Sequence, residues 1–149
     1  MKLTHIPPVA VALVLMVMVV VTRTFDVFAV DGGVASFCLI FGVIAALFGF
    51  SALCEFRHRK TTVNPIDVNR ASALVDTGVF GLTRNPMYVA IVLALASWTA
   101  GLGSLLGFVW VLALYFWLDR VQIPREEAAL TELFGDDYVA YQTRVARWF

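Results

Sequence analysis

GLTRNPMYVAIVLALASW, residues 81–98, is the stretch on which the fold turns. From Met87 onward it is an apolar helix of the kind that enters a lipid bilayer. It opens with Arg84, Asn85 and Pro86, and arginine is among the most expensive side chains to bring near hydrocarbon. Two readings account for this start. In one, Asn85 is an N-cap, Pro86 takes the first helical position and Arg84 snorkels to the interface. In the other, a polar ligand sits where the helix begins.

The surrounding chain is too apolar for a soluble domain. Of 149 residues, 60% are hydrophobic and 15% charged, and the mean hydropathy is +0.83. A soluble protein of this length needs more wetted exterior. The formal net charge is zero, so no bulk basic surface argues for nucleic acid. Cys38 and Cys54 lie in one apolar run, separated along a helix by roughly 24 Å, too far for a disulfide. His5 and His58 form no zinc pattern, so no metal is expected.

Four apolar segments stand out. The first covers residues 6–21 and could continue through FDVFAV, residues 25–30. Lys2 before an apolar run also fits a signal peptide, but no A-x-A cleavage site follows. The second, residues 34–54, is long enough to cross a bilayer, and Gly42, Ala46 and Gly49 give it a small-residue face. The third and fourth, residues 86–100 and 104–117, are short. Gly101-Leu102-Gly103 joins them as a hairpin turn, and Ala90, Ala94, Ser97 and Gly101 form a second small-residue line. No strand precedes the Gly-x-Gly, so it is not a phosphate loop.

With four spans, Lys2, Arg57, Arg59, Lys60, Arg70, Arg84, Arg120, Arg125, Arg144 and Arg147 share one side, and Arg23 is left for the other. The positive-inside rule makes both termini cytoplasmic. The expected fold is all-α: a polytopic membrane helical bundle with four transmembrane helices, the third and fourth a short hairpin, and a cytoplasmic helical C-terminal tail. That tail reads as two short helices. Pro124 suits the start of the first, Gly135 its end, and Asp136 or Asp137 the cap of the next. Helical projection puts Ala129, Leu130, Leu133 and Phe134 on an apolar face with Glu126 in its middle and Glu127 at its edge. A carboxylate so placed is costly unless a cation meets it. A helix-dipole role, a salt bridge to Arg84 or Arg120, and a ligand cation all satisfy that need. Tyr138, Tyr141, Val145 and Trp148 project onto one face of the last helix, which suits anchoring at the membrane interface.

LVDTGVFGLTRNPMYVA, residues 74–90, followed by a hairpin and then by REEAALTELFGDDYVAYQTRVARWF, residues 125–149, resembles a known superfamily. It is similar to the isoprenylcysteine carboxyl methyltransferase and phospholipid methyltransferase group of integral-membrane enzymes. The shared pattern is Gly78, then Arg84-Asn85-Pro86-Met87-Tyr88, the hairpin, Glu126-Glu127, and Phe134-Gly135 with Tyr138 and Tyr141. The match runs over residues 61–149, and the first two spans match only in being apolar.

The resemblance implies S-adenosylmethionine-dependent methyl transfer to a lipophilic small-molecule or lipid acceptor at the cytoplasmic membrane face. It implies one integral-membrane methyltransferase domain over residues 1–149, with two N-terminal spans in 1–54 and a cofactor-binding core in 61–149. Arg84, Asn85, Pro86, Tyr88, Glu126 and Glu127 become the cofactor-binding residues. Tyr138, Tyr141 and Arg144 become candidates on the substrate side. The chemistry agrees, because the cofactor carries a carboxylate, an ammonium and a sulfonium. Arg84 suits the first, a glutamate the second and an aromatic face such as Tyr88 the third. Relatives often have histidine where this chain has Asn85, which takes no proton near neutral pH. That favours a carboxylate or thiol acceptor over an ammonium, which must first lose a proton. The transfer itself requires no metal and no covalent intermediate. The expected location is a bacterial inner membrane, crossed several times. A nicotinamide-dependent reductase of the related sterol-reductase type, and a non-catalytic membrane scaffold module, are the competing functions. Neither the acceptor nor the oligomeric state is encoded in any motif.

Overall fold

Proline stands in the first turn of three helices, where its missing N–H is a donor the helix would leave unpaired anyway. These are α1 (Pro8–Arg23), α3 (Pro86–Gly101) and α5 (Ile123–Phe134). The others are α2 (Ala35–His58), α4 (Phe108–Trp117) and α6 (Asp136–Arg144). The computed structural model describes residues 7–30, 35–58 and 74–149. Lys2, His5, Arg59, Lys60 and Arg70, and the first part of the expected 61–149 core, lie outside the described residues. All regular structure among the described residues is helical, as expected.

The bundle is built around α3. Its small residues meet those of α2: a Cβ on Gly49 would lie 3.5 Å from the Ala90 Cβ, and one on Gly42 3.1 Å from the Ser97 hydroxyl. Ser97 Oγ donates to the Cys38 carbonyl at 2.9 Å. The two small-residue lines read from the sequence therefore face each other, which lets the backbones approach closely. Against α3 pack α1 and α4, through a core of Ala12, Val19, Tyr88, Leu95, Ala96, Val111 and Leu114.

Outside this core the helices are greasy. Leu13, Val14, Val17 and Val20 on α1, Leu39, Leu47 and Phe50 on α2, and Val109, Leu112 and Phe116 on α4 are all exposed. Only 11% of the apolar window of α2 is buried, so α2 is not the core helix of a soluble protein. Among the described residues it is the one helix, over Ser36–His58, long and apolar enough to cross a membrane. The 16 residues of α1 and of α3 and the 10 of α4 are short of the roughly 20 needed for an untilted span.

Two boundaries differ from expectation for one reason. The first helix stops at Arg23 instead of running through residues 25–30, and the fourth starts at Phe108 instead of residue 104. Asp26, buried where the chain turns after α1, accepts the Ser104 hydroxyl at 2.8 Å and the Leu106 N–H at 2.9 Å. Ser104 Oγ in turn accepts the Gly107 N–H at 3.0 Å. The turn before α4 is thus capped from another part of the chain. Beside it Arg23 Nε donates to the Leu102 carbonyl at 2.8 Å and the Val30 N–H to Gly103 O at 2.9 Å. Gly103 makes this turn at φ 63°, a conformation glycine adopts freely.

At the other end, α4 does not stop before the tail. A π turn, Leu118–Gln122, carries it directly into α5. Gly135, at φ 54°, then reverses the chain into α6. After Arg144 the backbone is extended at Val145, so Trp148 leaves the face expected to hold it with Tyr138, Tyr141 and Val145. Those three are buried against Leu74, Leu130 and Phe134, not displayed for membrane anchoring. Leu133, expected on the apolar face of α5, is exposed.

Candidate functional site

The start of α3 is held by the last residues of the chain. The Arg84 N–H donates to the Ala146 carbonyl at 3.0 Å. Thr83 Oγ1 and Asn85 Nδ2 both donate to the Arg147 carbonyl, at 3.0 and 3.1 Å. Asn85 is the N-cap residue by position, but its amide goes to Arg147 and not to its own helix. Pro86 is buried in the first turn and fixes the direction in which α3 leaves.

Tyr88, one turn in, points its hydroxyl at Glu126 of α5, making a short hydrogen bond to Oε1. Gln122, one turn before Glu126, donates to the same oxygen at 2.7 Å. Glu126 receives hydrogen bonds from two neutral groups, and no cation pairs with it among the described residues. Burial, reinforced by the charge of Glu127, pushes its pKa above the ordinary carboxylate value, and the two hydrogen bonds offset this in part.

Glu127 is in the opposite condition. Arg84 Nη1 lies 3.0 Å from its Oε1, and Arg147 grips both oxygens, Nε on Oε1 at 3.1 Å and Nη2 on Oε2 at 2.6 Å. Arg147 Nη1 also reaches Asp119 Oδ1 at 3.1 Å, and the Trp148 indole N–H donates to the same atom at 3.0 Å. The Trp148 bond, then Arg147, hold Asp119 below its ordinary pKa. Arg120, the other expected partner of the glutamates, pairs instead with Asp119 on the exposed side.

The π turn explains how Asp119 and Gln122 both reach this cluster. An i→i+5 turn inserted in an α-helix shifts the phase of everything before it relative to everything after it, and such turns recur at functional sites. Here the turn carries both residues: Asp119 meets Arg147 and Gln122 meets Glu126.

Arg84 itself is nearly enclosed, with its side chain 12% exposed. Its Nε and Nη1 are buried and make no aligned hydrogen bond among the described residues. Tyr138, also buried, lies beside it: burial, then the Glu127 charge, raise the pKa of this phenol, while the Arg84 guanidinium lowers it. Arg84, Tyr88, Glu126, Glu127 and Tyr138 thus converge. Arg144 does not join them, and Tyr141 adjoins them with its ring beside Tyr138, centroids 6.0 Å apart. The Tyr141 hydroxyl donates to the Phe80 carbonyl at 2.7 Å, fixing the 3₁₀ turn Gly78–Gly81, and burial raises its pKa. Gly78 opens that turn at φ 59°, where a Cβ would run into the Glu55 carboxylate. Arg144 makes an exposed ion pair with Asp76 at 2.8 Å.

Sequence reasoning missed Gln122, Asp119, Arg147 and Trp148. Gln122 stands four residues before Glu126, the spacing of side-chain pairs on a helix, and was legible in principle. Arg147 was not, because it meets Glu127 from beyond the end of α6, 20 residues away.

The profile of the family described as phospholipid methyltransferase matches residues 30–137. An uncharacterized protein of Haemophilus influenzae is 39% identical over 62 residues, which are 42% of this chain and 98% of that protein. No solved structure is significantly similar to the chain.

Proposed function

The chain belongs to the phospholipid methyltransferase family of membrane methyltransferases, and we propose that it uses S-adenosylmethionine to methylate a lipophilic acceptor at the cytoplasmic membrane face. The observation that carries this reading is the pair of opposite, unmet needs in one cluster. Among the described residues Arg84 has a buried Nε without a hydrogen-bond partner and an Nη1 that meets Glu127 only as an unaligned ion pair, and Glu126 is a buried carboxylate that no cation pairs with. A ligand bearing both a carboxylate and an ammonium meets both needs at once. The amino-acid end of S-adenosylmethionine is such a ligand.

In this reading Arg84 holds the carboxylate and Glu126 the ammonium, while Tyr88 and Tyr138 supply aromatic surface suited to a sulfonium. When bound, S-adenosylmethionine supplies a methyl carbon already activated for in-line displacement by the acceptor's lone pair. The residues therefore contribute alignment and exclusion of water. Asn85 and Pro86 act by placing Arg84 and Tyr88, and Glu127 by fixing Arg84. Asn85, whose amide takes no proton, favours a carboxylate or thiol acceptor. An apolar groove of about 770 Å³ between α1, α2 and α3 supports a lipophilic one. It is lined by Met16, Gly42, Ala46, Ala94 and Trp98, and Ala90 and Ile91 bring one end within a turn of Tyr88. The proposed topology has four passes and both termini cytoplasmic, with α1, α3 and α4 met by local thinning of the bilayer.

The test is calorimetric titration of the detergent-solubilised protein with S-adenosylmethionine and, separately, with a reduced nicotinamide dinucleotide. Labelled S-adenosylmethionine is then incubated with lipid extracts, thiols and prenylcysteine analogues. Binding of the first and label transfer to an apolar product are expected. Thermal protection by the nicotinamide alone would turn the reading to a reductase.

A further inference from the structure

We propose that Arg147 is a positioning residue for the ligand anion: by occupying Glu127 it keeps Arg84 available. This inference rests on the cofactor site proposed above. Glu127 has two oxygens, and Arg147 engages both in the planar fork geometry that makes arginine–carboxylate pairs strong. Arg84 shares only Oε1, through Nη1 at 3.0 Å and without an aligned hydrogen bond. Its contact with Glu127 is an electrostatic one that leaves N–H groups to offer.

Arg147 is itself tied at both ends. Its guanidinium reaches Asp119 of the π turn, and its carbonyl accepts from Thr83 and Asn85 on either side of Arg84. The same residue therefore sets the backbone next to Arg84 and neutralises the carboxylate opposite it. Without the Arg147 fork, the cation left paired with Glu127 among the described residues is Arg84. The Arg84 guanidinium would turn to fill both Glu127 oxygens, taking up N–H groups that the bound ligand needs. The positive charge at the start of α3 would be cancelled internally.

A double-mutant cycle on the full-length protein in detergent separates this role from a structural one. Titration with S-adenosylmethionine is followed by calorimetry, with melting as the control for folding. Arg147→Gln alone should weaken binding about tenfold or more. In a Glu127→Gln background, where no carboxylate is left to capture Arg84, the same replacement should change affinity by about twofold or less. The two losses would thus not add. If Arg147→Gln fails to fold, Arg147→Lys, which keeps the charge but not the fork, is carried through the same cycle. Additive losses would overturn the inference while leaving the cofactor reading intact. A parent protein that binds no S-adenosylmethionine overturns both.

Discussion

Arg147 and Glu127 meet fork to fork, Nη2 on Oε2 at 2.6 Å and Nε on Oε1 at 3.1 Å, although 20 residues of chain separate them. With side chains 32% and 14% exposed, the pair is only partly screened by water. Glu127→Gln leaves two arginines facing an amide. It should lower stability by about 1–3 kcal/mol, seen as a drop in melting temperature, and change S-adenosylmethionine affinity less than Glu126→Gln does. An unchanged melting temperature would reduce the fork to a surface contact.

Glu126→Gln should behave in the reverse way. The amide keeps an acceptor for the Tyr88 hydroxyl and removes a buried charge that no cation among the described residues meets, so melting should stay level or rise. Affinity for S-adenosylmethionine should fall about tenfold or more, because hydrogen bonds to charged groups contribute roughly 1.5–3 kcal/mol. A variant that binds like the parent returns Glu126 to a helix-start role.

The raised pKa of Glu126 fixes the sign of a pH effect. The folded protein holds this proton more tightly than the unfolded chain, whose value is near the ordinary 4.5. The stabilising contribution is full below that value and is lost as pH rises through the raised one. Across this window the ligand-free parent should lose melting temperature with increasing pH relative to Glu126→Gln. Affinity for a ligand ammonium should rise over the same window, because it selects the ionised carboxylate. Parallel melting profiles in the two proteins would remove Glu126 as the titrating group.

Arg84→Lys keeps a cation near Glu127 but loses Nε and the planar fork. S-adenosylmethionine binding should weaken although the protein stays folded. Equal affinity in the two proteins would mean that Arg84 serves the membrane interface, not a ligand.

Tags at both ends should be reached from the cytoplasmic side, and a tag in the loop at residues 30–34 from the opposite side. Protease protection in sealed vesicles reads this directly. Termini on different sides would leave an odd number of crossings and overturn the four-pass topology.

What the sequence revealed, it revealed locally. Pro86 and Gly101 bound α3, Gly135 divides the tail helices, and the Gly42 and Ala90 lines meet because small residues on helix faces carry their spacing with them. Arg84 was legible as a cation in need of a partner, but the carboxylate that the projection singled out was Glu126, and it is Glu127 that Arg84 meets. What stayed hidden came from afar or from a change of helical phase. The late start of α4 depends on Asp26, the burial of Tyr138 and Tyr141 depends on Leu74, and Trp148 leaves its expected face because the helix has ended. The π turn at Leu118–Gln122 has no marker residue at all, and a projection at a constant 100° per residue passes through it unaware.

Asp26 precedes the groups it caps by 78 and 80 residues. A polypeptide is made from its N terminus, so Asp26 exists before Ser104 and Leu106 do. The α3–α4 hairpin is therefore closed by a carboxylate that lies beyond the end of α1. A hairpin produced without α1 would have to leave the Leu106 N–H and the Ser104 hydroxyl to other partners. The turn after α1, which carries none of the cluster around Arg84, is in this respect the mould in which the α3–α4 hairpin is set.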